Sequence, residues 1–559
     1  MKTVVHISTS DKIGGAAIAA WRLHRGLKML DVDSRMVCLH RSDRSLDVSQ
    51  LSTPLLRALD LFHQQRVEPA QPDEATYFSV TPVSVSLLDH PWIAAADVVH
   101  FHWIARFLAP EDIADLCAAG KTVFWTFHDQ WAYTGGCHYV GGGHTAPADW
   151  LGTTQIDSSM HSIVAREFQR KMDAFKDQPL HVIAPSRWMA EEAVRSGVFK
   201  PDQIRIVPYG IDTNVFHPAT DREAEGPEKK VGLLFGCQSL DDRRKGFREL
   251  KQALTLCMRD KAFADTVASG GITLTTFGHF TGVQWDIPMP VHHLGTLEKE
   301  TDVAAAFHAA SCLICPTLDD NLPNVVMEAL ACGCPVLAFS TGGVPDMVQH
   351  NWNGLLAPKG DVHGLARSIV DFCMNPTLQE NLKTNVRVAD LAPFALETQA
   401  STLREFYQAA EPASARSGFP VSRDPLPVQN MGAKLIQHFG TEIALVLLEE
   451  KARDDLTHAA ADAELHWDLT RARERTAEAL RETEETKEKL RLEETAATNL
   501  RKALQELDLE VAGAKEKLLE TMDLLQAQTC ANGRLRNEFT RRTIKGRLRR
   551  CIRWLVGKK

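Results

Sequence analysis

The chain has 559 residues, 44% hydrophobic and 24% charged, enough for two core-bearing domains and something more. Its formal net charge of −9 excludes nucleic-acid binding by bulk electrostatics. The twelve cysteines are scattered, several in apolar strand-like runs, so they are expected as reduced, buried thiols in a cytosolic protein.

The first apolar run, residues 4–7, is too short for a secretory core, and no run approaches the length that spans a bilayer. The expected location is therefore cytoplasmic, free or peripheral on the inner face of the membrane. Short apolar strands alternate with helical patterns over residues 1–210, at 3–8, 34–39, 98–102, 122–127 and 181–184. That alternation predicts a parallel sheet covered by helices. Gly14 and Gly15 stand between the first strand and the next helix, where a backbone without Cβ atoms lets a ligand approach. His128 ends the fourth strand, in WTFHD, and a lone strand-end histidine is more often structural than functional.

After the segment IVPYGID (206–212) and a polar stretch at 220–230, the pattern repeats over 231–410. Strands are expected at 231–235, 273–277, 291–294, 312–316 and 336–339, and a last helix at 395–410. The first of these strands runs out at Gly236 and leads to DDRRKGF, which holds Arg244 and Lys245. The GTL loop ending at Leu297 is expected to border a nucleotide base.

The densest information lies in PTLDDNLPNVVMEALACGCP, residues 316–335. It predicts a buried strand end, a loop from Asp319 through Asp320, Asn321, Leu322 and Asn324, and a helix from Val325 to Cys332. Unpaired N–H groups and the positive end of the helix dipole attract an anion at that mouth. Glu328, one turn inside, suits the hydroxyls of a ribose. The cysteines of CLIC (312–315) and CGC (332–334) fit strand alternation and a Gly-Pro turn, so no metal is expected there.

This stretch resembles the donor motif of retaining glycosyltransferases of family 4, which place two acidic residues with seven between them. Asp320 stands where the family usually has Glu, and Glu328 matches the second acid. IVPYGID looks like the family's interdomain hinge, and HDQWAYTGGCHY (128–139) resembles a signature of its bacterial exopolysaccharide branch. Relatives in that branch carry further cysteines, where this chain reads Gly141–Gly142–Gly143–His144. The resemblance implies a GT-B fold, two Rossmann-like domains, over about residues 1–410. It implies that Lys245 and Arg244 stabilise a leaving diphosphate, that His128 and Asp320 meet the transferred sugar, and that Gly14 and Gly15 face the diphosphate. Gly236, Leu297, Asn321, Leu322 and Asn324 join Glu328 as donor-binding residues. No metal or cofactor is implied, the nucleoside-diphosphate sugar being a co-substrate.

Beyond a polar linker at 411–441 the composition changes. Apolar and small residues recur at heptad spacing from Leu465 to Leu525, broken at Glu493, which predicts a coiled coil within 442–530 and hence a homo-oligomer. A solvated single helix is the alternative. Residues 531–559 carry 11 Lys/Arg against one acid, interleaved with Ile544, Leu548, Ile552 and Leu555. A basic amphipathic helix suits an anionic membrane surface, with nucleic acid or simple solvation as competing readings.

The expected domains are thus an acceptor-side Rossmann-like domain at 1–210, a sugar-nucleotide-binding one at 211–410, the linker, the coiled coil, and the tail. The expected reaction moves a sugar from its nucleotide to a growing polysaccharide or lipid-linked acceptor. The alternatives are an epimerase or hydrolase of the same architecture, or a coiled-coil scaffold with a degenerate transferase domain.

Overall fold

The computed structural model describes residues 2–51, 78–79, 85–140, 161–219, 230–280 and 286–410, all within one compact unit, Met1–Ser422. The first sheet contains β1 (Val4–Ser10), β2 (Ser34–His40), β3 (Val48–Gln50), β4 (Val98–Phe101), β5 (Thr122–Thr126), β6 (Leu180–Ala184) and β7 (Ile204–Ile206). Its strands lie in the order β3-β2-β1-β4-β5-β6-β7, all parallel. The second contains β8 (Val231–Ser239), β9 (Ile272–His279), β10 (Val291–His293), β11 (Cys312–Cys315), β12 (Val336–Ser340) and β13 (Gly354–Pro358). Its order is β10-β9-β8-β11-β12-β13, again all parallel.

Helices cover both faces of these sheets, so central strands are continuous apolar runs rather than alternating ones. All four residues of β11, CLIC, are buried. Leu313 packs with Leu234, Val326 and Leu330 on one face of the second sheet. Ile314 packs with Leu233, Phe235 and Leu274 on the other.

The fold also sets where a ligand can sit. In each sheet the strand order reverses once, between β1 and β4 and between β8 and β11. Open parallel sheets bind ligands at the carboxyl ends of the strands flanking such a reversal. Gly14–Gly15 follow β1, His128 follows β5, the RRKG turn follows β8 and the acidic loop follows β11.

Six helices matter for the site: α1 (Gly15–Met29), α2 (Arg187–Arg195), α3 (Phe247–Cys257), α4 (Glu300–Ala309), α5 (Asn324–Ala331) and α6 (Leu396–Ala409). The last crosses to the first sheet, where Leu403 and Tyr407 pack with Val4, Leu23 and Leu27. A short backbone strap leads into it: Ile211 N donates to Phe394 O at 2.9 Å and Leu396 N to Ile211 O at 2.9 Å.

Observed elements differ from the sequence expectation in detail. The helix of the acidic motif begins at Asn324, one residue early, and several strands run one to four residues further. Three strands were not anticipated. Val48–Gln50 and Ile204–Ile206 are too short to show a period, and Gly354–Pro358 begins and ends with residues that read as a turn. Residues 411–559, with the linker, coiled coil and basic tail expected there, lie outside the described residues, as do Gly141–Gly142–Gly143–His144. Among the described residues no helix is long and apolar enough to cross a membrane.

Candidate active site

The RRKG turn is held against the acidic loop by its glycine. Gly246 has φ of +76°, and a Cβ there would lie 1.8 Å from Pro316 O. Only glycine allows both the left-handed backbone and that approach. Leu318 N and Thr317 Oγ1 donate to Arg244 O at 2.8 and 3.0 Å, which completes the seam.

Two cations therefore converge on one acid. Lys245 Nζ lies 2.5 Å and Arg244 Nη1 3.0 Å from Asp320 Oδ2, and Asp320 is 7% exposed. Burial opposes the Asp320 charge, but Lys245 and Arg244 outweigh it and hold the carboxyl below its ordinary value. Arg244 also donates to Asp319 O at 2.9 Å, pairs with Asp242 at 3.0 Å and lies over the Tyr139 ring, 4.9 Å from its centroid. Burial opposes the guanidinium charge; Asp320 and Asp242 overcome it and raise the pKa.

The first-sheet loops meet the mouth of α5. Gly14 adopts φ of +101°, and Asn324 Nδ2 donates to Gly15 O at 3.0 Å. Asn324 Oδ1 is buried without a partner. Of the two sequence-predicted glycines, Gly15 thus touches the helix mouth, while the space beside Gly14 is bounded by Gln238.

Glu328 lies one turn inside and meets a residue that sequence reasoning missed. Arg22 of α1, 1% exposed, donates through Nη2 to Glu328 Oε1 at 2.7 Å and through Nε to Glu300 Oε1 of α4 at 2.7 Å. Its guanidinium stands 5.2 Å from the centroid of the Phe216 ring, and Nη1 is buried without a partner. Burial disfavours this charge, while Glu328 and Glu300 restore it and raise the pKa. The available signal was an arginine on the buried stripe Ala19–Arg22–Leu23–Gly26 of a helix otherwise rich in alanine.

His128 is buried and held at both ring nitrogens. Nδ1 lies 2.8 Å from Tyr209 OH, and Nε2 3.2 Å from His102 Nδ1. Burial lowers its pKa to about 4, with Asp129 acting in the opposite direction, so the ring is neutral at pH 7. Asn321 reaches it from the acidic loop. Its Nδ2 donates to Phe127 O at 2.8 Å and contacts Tyr209 OH at 3.3 Å, while Oδ1 accepts from Ser186 Oγ at 2.7 Å.

Three of the proposed donor residues have other surroundings. Gly236 lies within β8, where a Cβ would meet the Phe277 ring at 2.1 Å, so core packing accounts for it. Leu322 is in the core beside Val326, and Leu297 packs partly buried against the same cluster. Tyr209, His102 and Ser186 were not anticipated as site residues. They come from separate strand ends, and nothing local to them marks the convergence.

Among the described residues one histidine group, His6, His100 and His102, brings ring nitrogens within 4.8 Å of one another. His100 nitrogens face Tyr407 OH and Thr126 Oγ1, and His6 Nδ1 faces His102 Nε2, so protein partners already account for most of this set.

Residues 13–215 match the family model described as Glycosyltransferase Family 4, and residues 233–375 the one described as Glycosyl transferases group 1. A D-inositol 3-phosphate glycosyltransferase of Streptomyces scabiei is 34% identical over 241 residues, 41% of this chain and 54% of that protein. The protein of the same name from Corynebacterium jeikeium is 26% identical over 230 residues, 38% of this chain and 53% of its own length. The chain thus spans about half the length of these curated relatives. An amylovoran biosynthesis glycosyltransferase of Erwinia amylovora, AmsK, is 33% identical over 89 residues, 16% of this chain and 19% of that protein. Among solved structures, sucrose-phosphate synthase from Thermosynechococcus elongatus superposes with a TM-score of 0.51 at 17% identity, covering 73% of this chain and 98% of that one. Anabaena HepE, solved with UDP and glucose, gives 0.50 at 15% identity, covering 73% and 100%. These likenesses identify the fold as GT-B: two Rossmann-like domains with parallel sheets.

Proposed function

Because the chain belongs to the group-1, family-4 glycosyltransferases, we propose that it transfers a sugar from a nucleoside-diphosphate donor to a saccharide or lipid-linked saccharide, with retention at the anomeric carbon. The observation that carries this reading is the convergence of Lys245 and Arg244 on Asp320 beside the mouth of α5. In transfer, an acceptor oxygen bonds to the anomeric carbon as the bond from that carbon to the diphosphate oxygen breaks. The acceptor proton ends on the departing phosphate. Negative charge grows on the phosphate oxygens, and preorganised cations favour that state over the ground state.

Each residue then has a task. The diphosphate takes the helix mouth at Asn324 and draws Lys245 and Arg244 toward its oxygens. Asp320, relieved of part of that pairing, accepts from hydroxyls of the sugar. Glu328 holds the ribose: Oε1 is fixed by Arg22, which leaves Oε2 to accept from a hydroxyl. Gly14, Gly15 and His128 close the first-domain side. Helix mouth and cations supply the positive charge the leaving group needs, so the reaction proceeds without a divalent ion. AmsK gives some support to a polysaccharide acceptor. Nucleic acid has no place in this reading.

The coiled coil at 442–530 and the tail at 531–559 are read from their sequence patterns as an oligomerising rod and an anchor on an anionic cytoplasmic surface.

A panel of UDP-, GDP- and ADP-sugars tests the proposal. One family should raise the melting temperature and yield nucleoside diphosphate faster with a saccharide acceptor present. Release of free sugar at one rate with and without acceptor would identify a hydrolase instead.

A further inference from the structure

A continuous line of hydrogen-bonding groups runs from the acidic loop into the centre of the first sheet. It passes from Asn321 Nδ2 to Tyr209 OH at 3.3 Å, and from that hydroxyl to His128 Nδ1 at 2.8 Å. It continues from His128 Nε2 to His102 Nδ1 at 3.2 Å and from His102 Nε2 to His6 Nδ1 at 2.9 Å. His6 Nε2, at the far end, is buried with no partner. Tyr209 stacks on His128, with ring centroids 5.3 Å apart and planes 16° from parallel.

The direction of this line follows from its first member. Phe127 O can only accept, so the Asn321 group 2.8 Å from it is the NH2. Ser186 Oγ, 2.7 Å from Oδ1, agrees with that orientation. The second hydrogen of the same NH2 is shared between Tyr209 OH at 3.3 Å and His128 O at 3.4 Å, and the hydroxyl accepts from it. Tyr209 has one hydrogen of its own, and the relay assigns it to His128 Nδ1, 2.8 Å away. A neutral imidazole with Nδ1 accepting carries its hydrogen on Nε2. That hydrogen points at His102 Nδ1, and the same logic puts the His102 hydrogen on Nε2, facing His6 Nδ1. His6 then carries a hydrogen on Nε2, the atom that ends the line unpaired. Burial keeps the three rings neutral: it lowers His128 to about 4, and His6 and His102 well below the ordinary histidine value.

We propose that Asn321, Tyr209 and His102 form one positioning relay, which fixes the His128 ring in its Nε2–H tautomer through a contact that spans the two domains. Its consequence for catalysis rests on the assignment of His128 to the sugar side. With both nitrogens held by protein, neither ring nitrogen of His128 is open to the donor in this arrangement. Tyr209 and His102 are therefore positioning residues, and Asn321 makes their arrangement depend on the acidic loop being seated.

The relay is testable on the full-length protein without any ligand. In 15N-histidine-labelled protein at pH 7.5, long-range proton–nitrogen correlation reads the tautomer of each ring, and His128→Gln identifies the His128 signals. The expected result is one tautomer for His128, protonated at Nε2. Tyr209→Phe keeps the stacked ring but removes the hydroxyl, and Asn321→Ala touches neither ring nitrogen. Both should convert His128 to a mixture of tautomers. An Nδ1–H tautomer in the wild type overturns the proposal, as does an Nε2–H tautomer that persists unchanged in both variants. Should a variant not fold, the wild-type spectrum decides alone. These readings do not depend on turnover, so a failed relay and a failed glycosyltransferase assignment are distinguishable. Where a sugar nucleotide is turned over, Tyr209→Phe should lower kcat for its nucleoside diphosphate release while leaving KM nearly constant.

Discussion

Lys245 Nζ lies 2.5 Å from Asp320 Oδ2, although 75 positions separate the two in sequence. Arg244 joins them at 3.0 Å. Arg244 also pairs with Asp242, so two cations face two carboxylates beyond the end of β11; in the proposed reaction the diphosphate draws both cations toward its own oxygens.

Removing the lysine should therefore strike turnover. Lys245→Ala is expected to lower kcat by about two to three orders of magnitude, as loss of a comparable preorganised charge does. Asp320→Asn should reduce kcat more than nucleotide affinity, because Asp320 is assigned to the sugar. Steady-state kinetics and nucleotide titration of both variants check this. Wild-type kinetics in both would remove the assignment.

Arg22 makes a second, independent prediction. Breaking a buried ion pair by removing one partner typically costs about 3–5 kcal/mol, since a carboxylate is left uncompensated. Arg22→Met should destabilise the fold by that order in urea melts and also weaken nucleotide binding. Glu328→Gln should weaken nucleotide binding with a smaller loss of stability. The double variant should lose less stability than the two singles added together. Strict additivity would show that the two side chains act separately.

Stability should fall in mild acid. Burial lowers the pKa of His24 and His128 to about 4 and of His100 to about 3. Asp47 and Asp129 act the other way on His24 and His128, without cancelling the effect. Between the unfolded value, about 6.5, and these folded values, the unfolded chain binds more protons, so stability rises with pH. Each such histidine contributes a slope of up to about 1.4 kcal/mol per pH unit inside that window. The stability is fully present above about pH 6.5 and is lost progressively as pH falls toward 4. Urea melts at pH 7.5, 6 and 5 measure it. A flat profile would mean the histidines titrate freely in the folded protein.

Chelation gives a simple check on the electrostatics. Because Lys245, Arg244 and the α5 mouth supply the charge in the proposed reaction, EDTA should leave turnover nearly unchanged. Strict dependence on an added divalent ion would count against the proposed mechanism.

The C-terminal region should be separable from catalysis. Deleting residues 431–559 is expected to leave donor turnover intact, to reduce the protein to a monomer by light scattering and to release it from anionic vesicles. Linked copies of a weak basic tail gain through effective concentration, and salt should screen their attraction. A truncated protein that stays oligomeric and vesicle-bound would place both properties in residues 1–430.

The sequence by itself determined the two parallel sheets, because buried strands and amphipathic helices write their periods locally. It also put the Gly14–Gly15 turn, Lys245, Asp320 and the helix mouth at Asn324 at the ends of strands and helices, since turn chemistry and motif spacing are local too; that Gly15 meets Asn324 across 309 positions came from the tertiary structure. It could not show that Arg22 meets Glu328 across 306 positions, or that Tyr209 and His102 clamp His128. The first joins two helices, α1 and α5, and the second joins residues that follow three strands of the first sheet, so no short-range pattern encodes either. Gly236 shows a packing constraint of the same kind: a Cβ there would meet the Phe277 ring at 2.1 Å, which no local pattern announces. Tertiary packing, which decides what lies against each backbone atom, supplied both answers.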